Sequence, residues 1–168
     1  MLSVALLFVG IVLINNGVCN LTKVDRNATA IMNFFNGGLS VYINFVNLAQ
    51  GNYYAAGTGL LFGFTYLFIA IDSVFKLDTR PFAWFCTFVA INAVVFGTLE
   101  GFIGIPSLGI VPDIRWAGIW YLWALLWITG FFEDILGIKL GKFTPYLQIF
   151  DGVVTAWVPG LLMLIGRW

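Results

Sequence analysis

The chain contains no histidine. Histidine is the commonest metal ligand and the only side chain whose ordinary pKa lies between about 5 and 8, so most metal and general-base chemistry goes with it. Charge is scarce as well: 10% of the residues are Asp, Glu, Lys or Arg, against about 25% in a soluble domain. Formal charge sums to zero, which leaves no basic surface for nucleic acid and no acidic one for a cationic partner. Cys19 and Cys86 are isolated, without a C-x-x-C neighbour, so neither a disulfide framework nor a metal site is indicated. There is no nucleophile–base pair, H-E-x-x-H motif, paired intramembrane aspartates or phosphate loop. An enzyme is therefore not expected, nor is a metal or cofactor. No basic stretch precedes the first apolar run, which reads as a first membrane span and not a cleaved signal.

What the chain has in abundance is apolar surface. Its 168 residues are 61% hydrophobic, and the mean hydropathy is +0.96. That composition belongs to an all-α integral membrane protein, here a single domain spanning residues 1–168. Its other partner is then membrane lipid. Six spans can be drawn, each near the ~20 residues that a bilayer requires. They run Leu2–Val18, Ala28–Leu48, Tyr53–Phe75, Pro81–Gly101, Ile114–Leu136 and Pro145–Ile165.

The basic residues give an orientation. Lys23 and Arg26, Lys76 and Arg80, and Lys139 and Lys142 fall in alternate connections, while the other side receives only Arg115 and Arg167. The positive-inside rule then places those three turns in the cytoplasm and both termini outside. The turns INNGVCNLTKVDRNA, AIDSVFKLDTRPFA and FEDILGIKLGKFTPY share a pattern. Each runs from Asn or Asp, through apolar residues, to a Leu beside Lys or Asp. One helical hairpin used three times, closing a ring of six helices, is the expected architecture. Short basic turns also resemble one another for simpler reasons.

The fifth span is the most unusual stretch, RWAGIWYLWALLWITGFFE from Arg115 to Glu133. Trp116, Trp120, Trp123 and Trp127 step by four, three and four, so all four indoles share one helix face over about three turns. Tryptophan ordinarily gathers at the two membrane–water interfaces; here it climbs through the membrane's depth. Such a ladder gives flat apolar walls edged with N–H donors. It suits either a bundle core or a slot for a small, flat, uncharged solute that makes hydrogen bonds.

Elsewhere the signals are weaker. Leu2, Leu6, Val9 and Leu13 follow the same four-three-four spacing in span one, a stripe that packing or lipid explains equally. Asn33, Asn36, Ser40, Asn44 and Asn47 in span two must face protein or water. Gly59 and Gly63 form a G-x-x-x-G in span three, where Phe62 and Tyr66 stack four apart. Packing accounts for that pair as well as a pore wall does. Among the acids, Glu133 and Asp151 lie within spans, where an unpaired charge costs several kcal/mol and marks a functional candidate. Asp72 reads as a buried partner or, the favoured reading, as the cap of its hairpin, and Asp134 reads as a turn cap near Lys139. The sequon Asn27-Ala28-Thr29 falls in a cytoplasmic turn, so glycosylation is not expected.

Taken together, NGVCNLTKVD with MNFFNGGLS, then GLLFGFTYL, FVAIN, the tryptophan ladder, LGKFTPYL and TAWVPG resemble the AmiS/UreI family of urea and short-chain amide channels. The resemblance covers nearly all of the chain outside the two outer loops. It implies a six-helix protomer of three hairpins around its own pore, and a homohexamer in the bacterial cytoplasmic membrane. It further implies passive conduction of urea or a small amide, supplying a cytoplasmic urease or amidase. Pore aromatics would fall on Phe62, Tyr66, Trp116, Trp120, Trp123 and Trp127, an aliphatic wall on Leu6, Val9 and Leu13, and buried acids on Glu133 and Asp151. Family members carry Glu where this chain has Asp151. Acid-gated relatives have a long outer loop and outer-face histidines, and this chain has neither. The connection Gln50–Tyr54 is short, and only Glu100 and Asp113 remain at the outer mouth, where an exposed carboxylate ordinarily titrates at about 4. Gating by acid is not expected.

Overall fold

Residues 1–168 are all described by the computed structural model, and they are helical almost throughout. Six long helices follow one another: α1 (Leu2–Thr22), α2 (Arg26–Ala49), α3 (Tyr53–Phe75), α4 (Arg80–Thr98), α5 (Ile114–Gly130) and α6 (Phe143–Leu164). Four are long and apolar enough to cross a membrane: Leu2–Thr22, Tyr53–Phe75, Phe143–Leu164 and α4 with its extension to Ile103. The asparagines of α2 and the indoles of α5 dilute the hydropathy of the other two.

Three helices depart from regular α geometry through a π-turn, in which each N–H reaches back five residues. Leu99–Ile103 extends α4, Phe131–Ile135 extends α5, and Gly152–Trp157 lies within α6. The marker bonds run from Gly104 N to Leu99 O, from Leu136 N to Phe131 O, and from Val158 N to Val153 O.

The chain divides into two compact units, residues 1–79 with 142–168, and residues 80–141. In the first, α2 lies along α3, and α1 lies along α6 with a lesser contact to α2. In the second, α4 lies along α5. Across the first basic turn α1 and α2 meet as the first expected hairpin requires, but neither has the other as its main partner. The main partner of α2 is reached across the 50–52 turn, and the partner of α1 is the last helix.

Small residues explain the choice. A Cβ on Gly37 would lie 2.8 Å from Leu67, and one on Gly63 would lie 2.9 Å from Val41. The G-x-x-x-G of α3 is therefore the seam against α2, where bare glycine surfaces allow two backbones to approach. On the other seam, a Cβ on Gly10 would lie 2.7 Å from Trp157, and one on Gly17 would lie 2.5 Å from Pro145 O.

Two basic turns are built alike. Helices α1 and α3 each end on a lysine in the left-handed region, Lys23 at φ 56° and Lys76 at φ 52°. Asp25 then caps α2, accepting from Asn27 N at 2.9 Å. Asp72 is no cap. It lies inside α3, 3% exposed, because the helix runs on to Phe75 and closes at Lys76 instead.

Candidate functional site

The tryptophans of α5 form an edge-to-face ladder. Trp120 and Trp123 have ring centroids 5.1 Å apart with planes at 87°, and Trp123 and Trp127 are 6.4 Å apart at 69°. Positive ring edges meeting negative faces favour this arrangement. Phe96 of α4 continues it, 5.3 Å from Trp120. These three indoles are buried, and Trp116 one turn earlier is half-buried. Small residues beneath the ladder let α4 approach: Gly97 lies against Trp120 and Tyr121, and Gly101 against Ala117.

In the other unit, Leu6, Val9 and Leu13 are buried on one face of α1, whereas Leu2 at the start of that stripe is 53% exposed. Phe62 is half-buried and Tyr66 buried on α3. Asp151 is fully enclosed, at 0% exposure, and neither carboxylate oxygen has a hydrogen-bond partner in the protein. A buried charge in that state costs several kcal/mol unless water or a solute attends it.

Glu133 differs from the enclosed acid expected of it. It is half-buried in the π-turn that ends α5, because the helix is running out where it stands. The neighbouring Asp134 is exposed in the same turn. Each π-turn carries or adjoins an acid: Glu100 in the first, Glu133 in the second, and Asp151 immediately before the third. Such turns recur at functional sites because they re-aim side chains that a regular helix would place elsewhere.

Two further polar groups are enclosed. Asn36 is 2% exposed with its amide oxygen and nitrogen both unpartnered, and the Asp72 carboxylate is likewise enclosed without a partner. Arg26 is the cation whose field reaches Asp72. The available signal was the rarity of an acid inside an apolar helix; its nearness to Lys76 disguised it as a turn residue. Elsewhere on α2 the amides are engaged. Asn16 and Asn33 exchange bonds of 2.9 and 2.7 Å between α1 and α2. Asn47 donates to Asn44 Oδ1 at 3.1 Å.

At the N-terminus of α5, Asp113 caps the helix by accepting from Arg115 N at 3.0 Å. The same carboxylate takes the Arg115 guanidinium as a fork, with Nη2 at 2.6 Å and Nε at 2.9 Å from Oδ2. The arginine's hydrogen bonds hold the Asp113 carboxyl below its ordinary value of 3.8. Between α4 and this cap, Ile105 and Ile110 pair as a single antiparallel bridge, and Asp113 N donates to Glu100 O.

Comparison with known proteins bears on what this arrangement does. The AmiS/UreI family transporter model matches residues 1–167. An acid-activated urea channel of Helicobacter pylori is 46% identical, with all of both chains aligned. That alignment runs over 194 positions, more than the 168 residues here, so the relative holds residues this chain lacks. A Mycolicibacterium smegmatis protein named for transport of amidate substrates is 36% identical, over 99% of this chain and 78% of its own length. Among solved structures, the H. pylori urea channel in its closed state superposes with a TM-score of 0.92 at 49% identity, covering all of both chains. A crystal structure of the urea channel from the same organism gives a TM-score of 0.87.

Proposed function

The chain belongs to the AmiS/UreI family of transporters, membrane proteins and not enzymes, and on that premise we propose that it is a passive channel for urea or a closely related small amide. The observation that carries the reading is the full-length likeness to a urea channel, at a TM-score of 0.92. The ladder and the enclosed Asp151 supply a mechanism for it.

Urea is planar and neutral, with two amino groups and a carbonyl. Entering a narrow path strips its water, and each unmatched hydrogen bond costs about 1–3 kcal/mol. Indole N–H groups and the Tyr66 hydroxyl donate to the carbonyl, while Asp151, Glu133 and backbone carbonyls accept from the amino groups. Aromatic faces on Trp116, Trp120, Trp123, Trp127 and Phe62, with the smooth surface of Leu6, Val9 and Leu13, guide the solute without gripping it. Weak binding lets it leave. An ion meets the same apolar lining without its hydration shell and is refused by the cost of desolvation.

The proposal extends to one channel domain of six spans in the bacterial cytoplasmic membrane, both termini outside, with six copies in a ring and urea delivered to a cytoplasmic urease or amidase. Orientation rests on the six basic residues in alternate connections against two elsewhere. The channel is further proposed to stay open at neutral pH. Three observations support this: the absence of histidine, the additional residues of the acid-activated relative that this chain lacks, and the fork that keeps Asp113 ionised.

A proton-coupled transporter is the second reading, and the unpartnered Asp151 carboxylate is the feature that favours it. Stopped-flow measurements on proteoliposomes with urea, acetamide and glycerol, with and without a pH gradient, separate the two. Flux independent of the gradient supports the channel; gradient-dependent uptake would replace it with the transporter. No flux of any solute would leave only a structural role.

A further inference from the structure

The Asp151 carboxylate has no hydrogen-bond partner in the protein, so its aim is set by its own backbone and by the walls that enclose it. That backbone stands at the head of the π-turn Gly152–Trp157. Such a turn holds one residue more than the regular helix it interrupts, and reverting it would swing Asp151 about 100° relative to the residues beyond. Two features of this chain lie at the turn. Thr155, itself 0% exposed, donates its hydroxyl to the Asp151 carbonyl at 2.5 Å. Helix α1 grips both ends: a Cβ on Gly152 would lie 2.8 Å from Gly10 O, and one on Gly10 would lie 2.7 Å from Trp157.

We infer that Thr155 is a positioning residue for Asp151, its hydroxyl fixing the π-turn that aims the carboxylate at the amino groups of the passing solute. The inference rests on the proposed channel function and extends it to a residue that never touches the solute. It requires the hydroxyl and not the side-chain volume. Serine keeps the donor; valine keeps the shape and loses it.

The test is the ratio of urea to acetamide permeability in proteoliposomes, since urea offers an acceptor two amino groups and acetamide one. Thr155→Val is expected to lower the ratio several-fold, the effect of misplacing one hydrogen bond of ordinary strength, and Thr155→Ser to restore it. In an Asp151→Asn background, Thr155→Val should change the ratio no further, because the two residues act through one group. A Thr155→Val channel with the parent's ratio, or equal effects in both backgrounds, would overturn the inference. So would loss of assembly in Thr155→Val and Thr155→Ala alike, which would make the hydroxyl a folding requirement. Absence of urea flux through the parent would instead overturn the proposed function, and the inference with it.

Discussion

The indoles of Trp120 and Trp123 meet edge to face, with centroids 5.1 Å apart and planes at 87°. An aromatic pair in this geometry contributes about 0.5–1.5 kcal/mol beyond the area it buries. Trp123 also meets Trp127, so it ties the ladder together. Trp123→Ala and Trp127→Ala are expected to change urea permeability by several-fold or more in channels that still elute as the parent oligomer. Phe62→Ala and Tyr66→Ala should behave alike, since a slot needs more than one wall. Parent-like flux through folded Trp127→Ala channels would reduce the ladder to packing.

Urea permeability should be nearly flat from pH 5 to 8 at fixed ionic strength. At the outer mouth, Asp113 is an acid whose environment speaks to this, because the Arg115 fork lowers its pKa in the folded state. A depressed carboxylate stabilises the fold fully above its unfolded value and loses that effect only as pH falls through the lower folded value. Both lie below the tested range, so this pair does not switch there. A several-fold rise on acidification would sink the expectation, and Glu100→Gln and Asp113→Asn would be the first variants to make.

Much of this architecture could be read from the chain before any coordinates. Bare glycine faces at Gly59 and Gly63 announced a close helix seam, and the four-three-four step of the indoles placed them on one side of α5. Helix ends were legible to within a few residues because lysine, glycine and proline mark them. The π-turns were not legible, since one extra residue in a helix changes neither composition nor apolar run length. They bear on Glu133, which is expected as a buried acid near the end of span five and stands half-buried in a terminal turn. Which contact each helix makes most heavily is legible from glycine and not from the turns. The repeated basic turns attract attention by charge, yet pairing follows where glycine lets backbones touch, and Gly10 and Gly17 direct α1 to α6. Asp72 was hidden by its neighbour Lys76, and its enclosure depends on packing that local sequence does not encode.

The reciprocal pair between Asn16 and Asn33 should show the asymmetry of buried hydrogen bonds. Both amides are enclosed, at 3% and 0% exposure, and Asn33 also donates to Thr29 O at 3.0 Å. Asn16→Leu leaves Asn33 Oδ1 without its donor and is expected to cost about 1–3 kcal/mol. The double variant Asn16→Leu, Asn33→Leu removes both partners and should be less destabilised than the single one. Thermal unfolding in detergent reads the difference. Costs that simply add would show that the pair is not buried in the membrane-embedded protein.

Asp151 offers the sharpest division between a conducting role and a structural one. Its carboxylate is enclosed and has no hydrogen-bond partner in the protein. An acceptor left in that condition is expensive to bury, and an amino group of the permeant relieves the cost for as long as the solute stays. Asp151→Asn keeps the shape and one acceptor oxygen while removing the charge, so part of the urea conduction should survive. Asp151→Leu offers no acceptor and is bulkier, and should block it. Stability should move the other way, with Asp151→Leu at least as resistant to heat as the parent, because an unpaired carboxylate in an apolar setting is a burden on the fold. Flux through purified channels and thermal unfolding on the same preparations read both effects. If Asp151→Leu conducts as the parent does, the acid lies off the path; if it neither conducts nor assembles, the carboxylate holds the fold together.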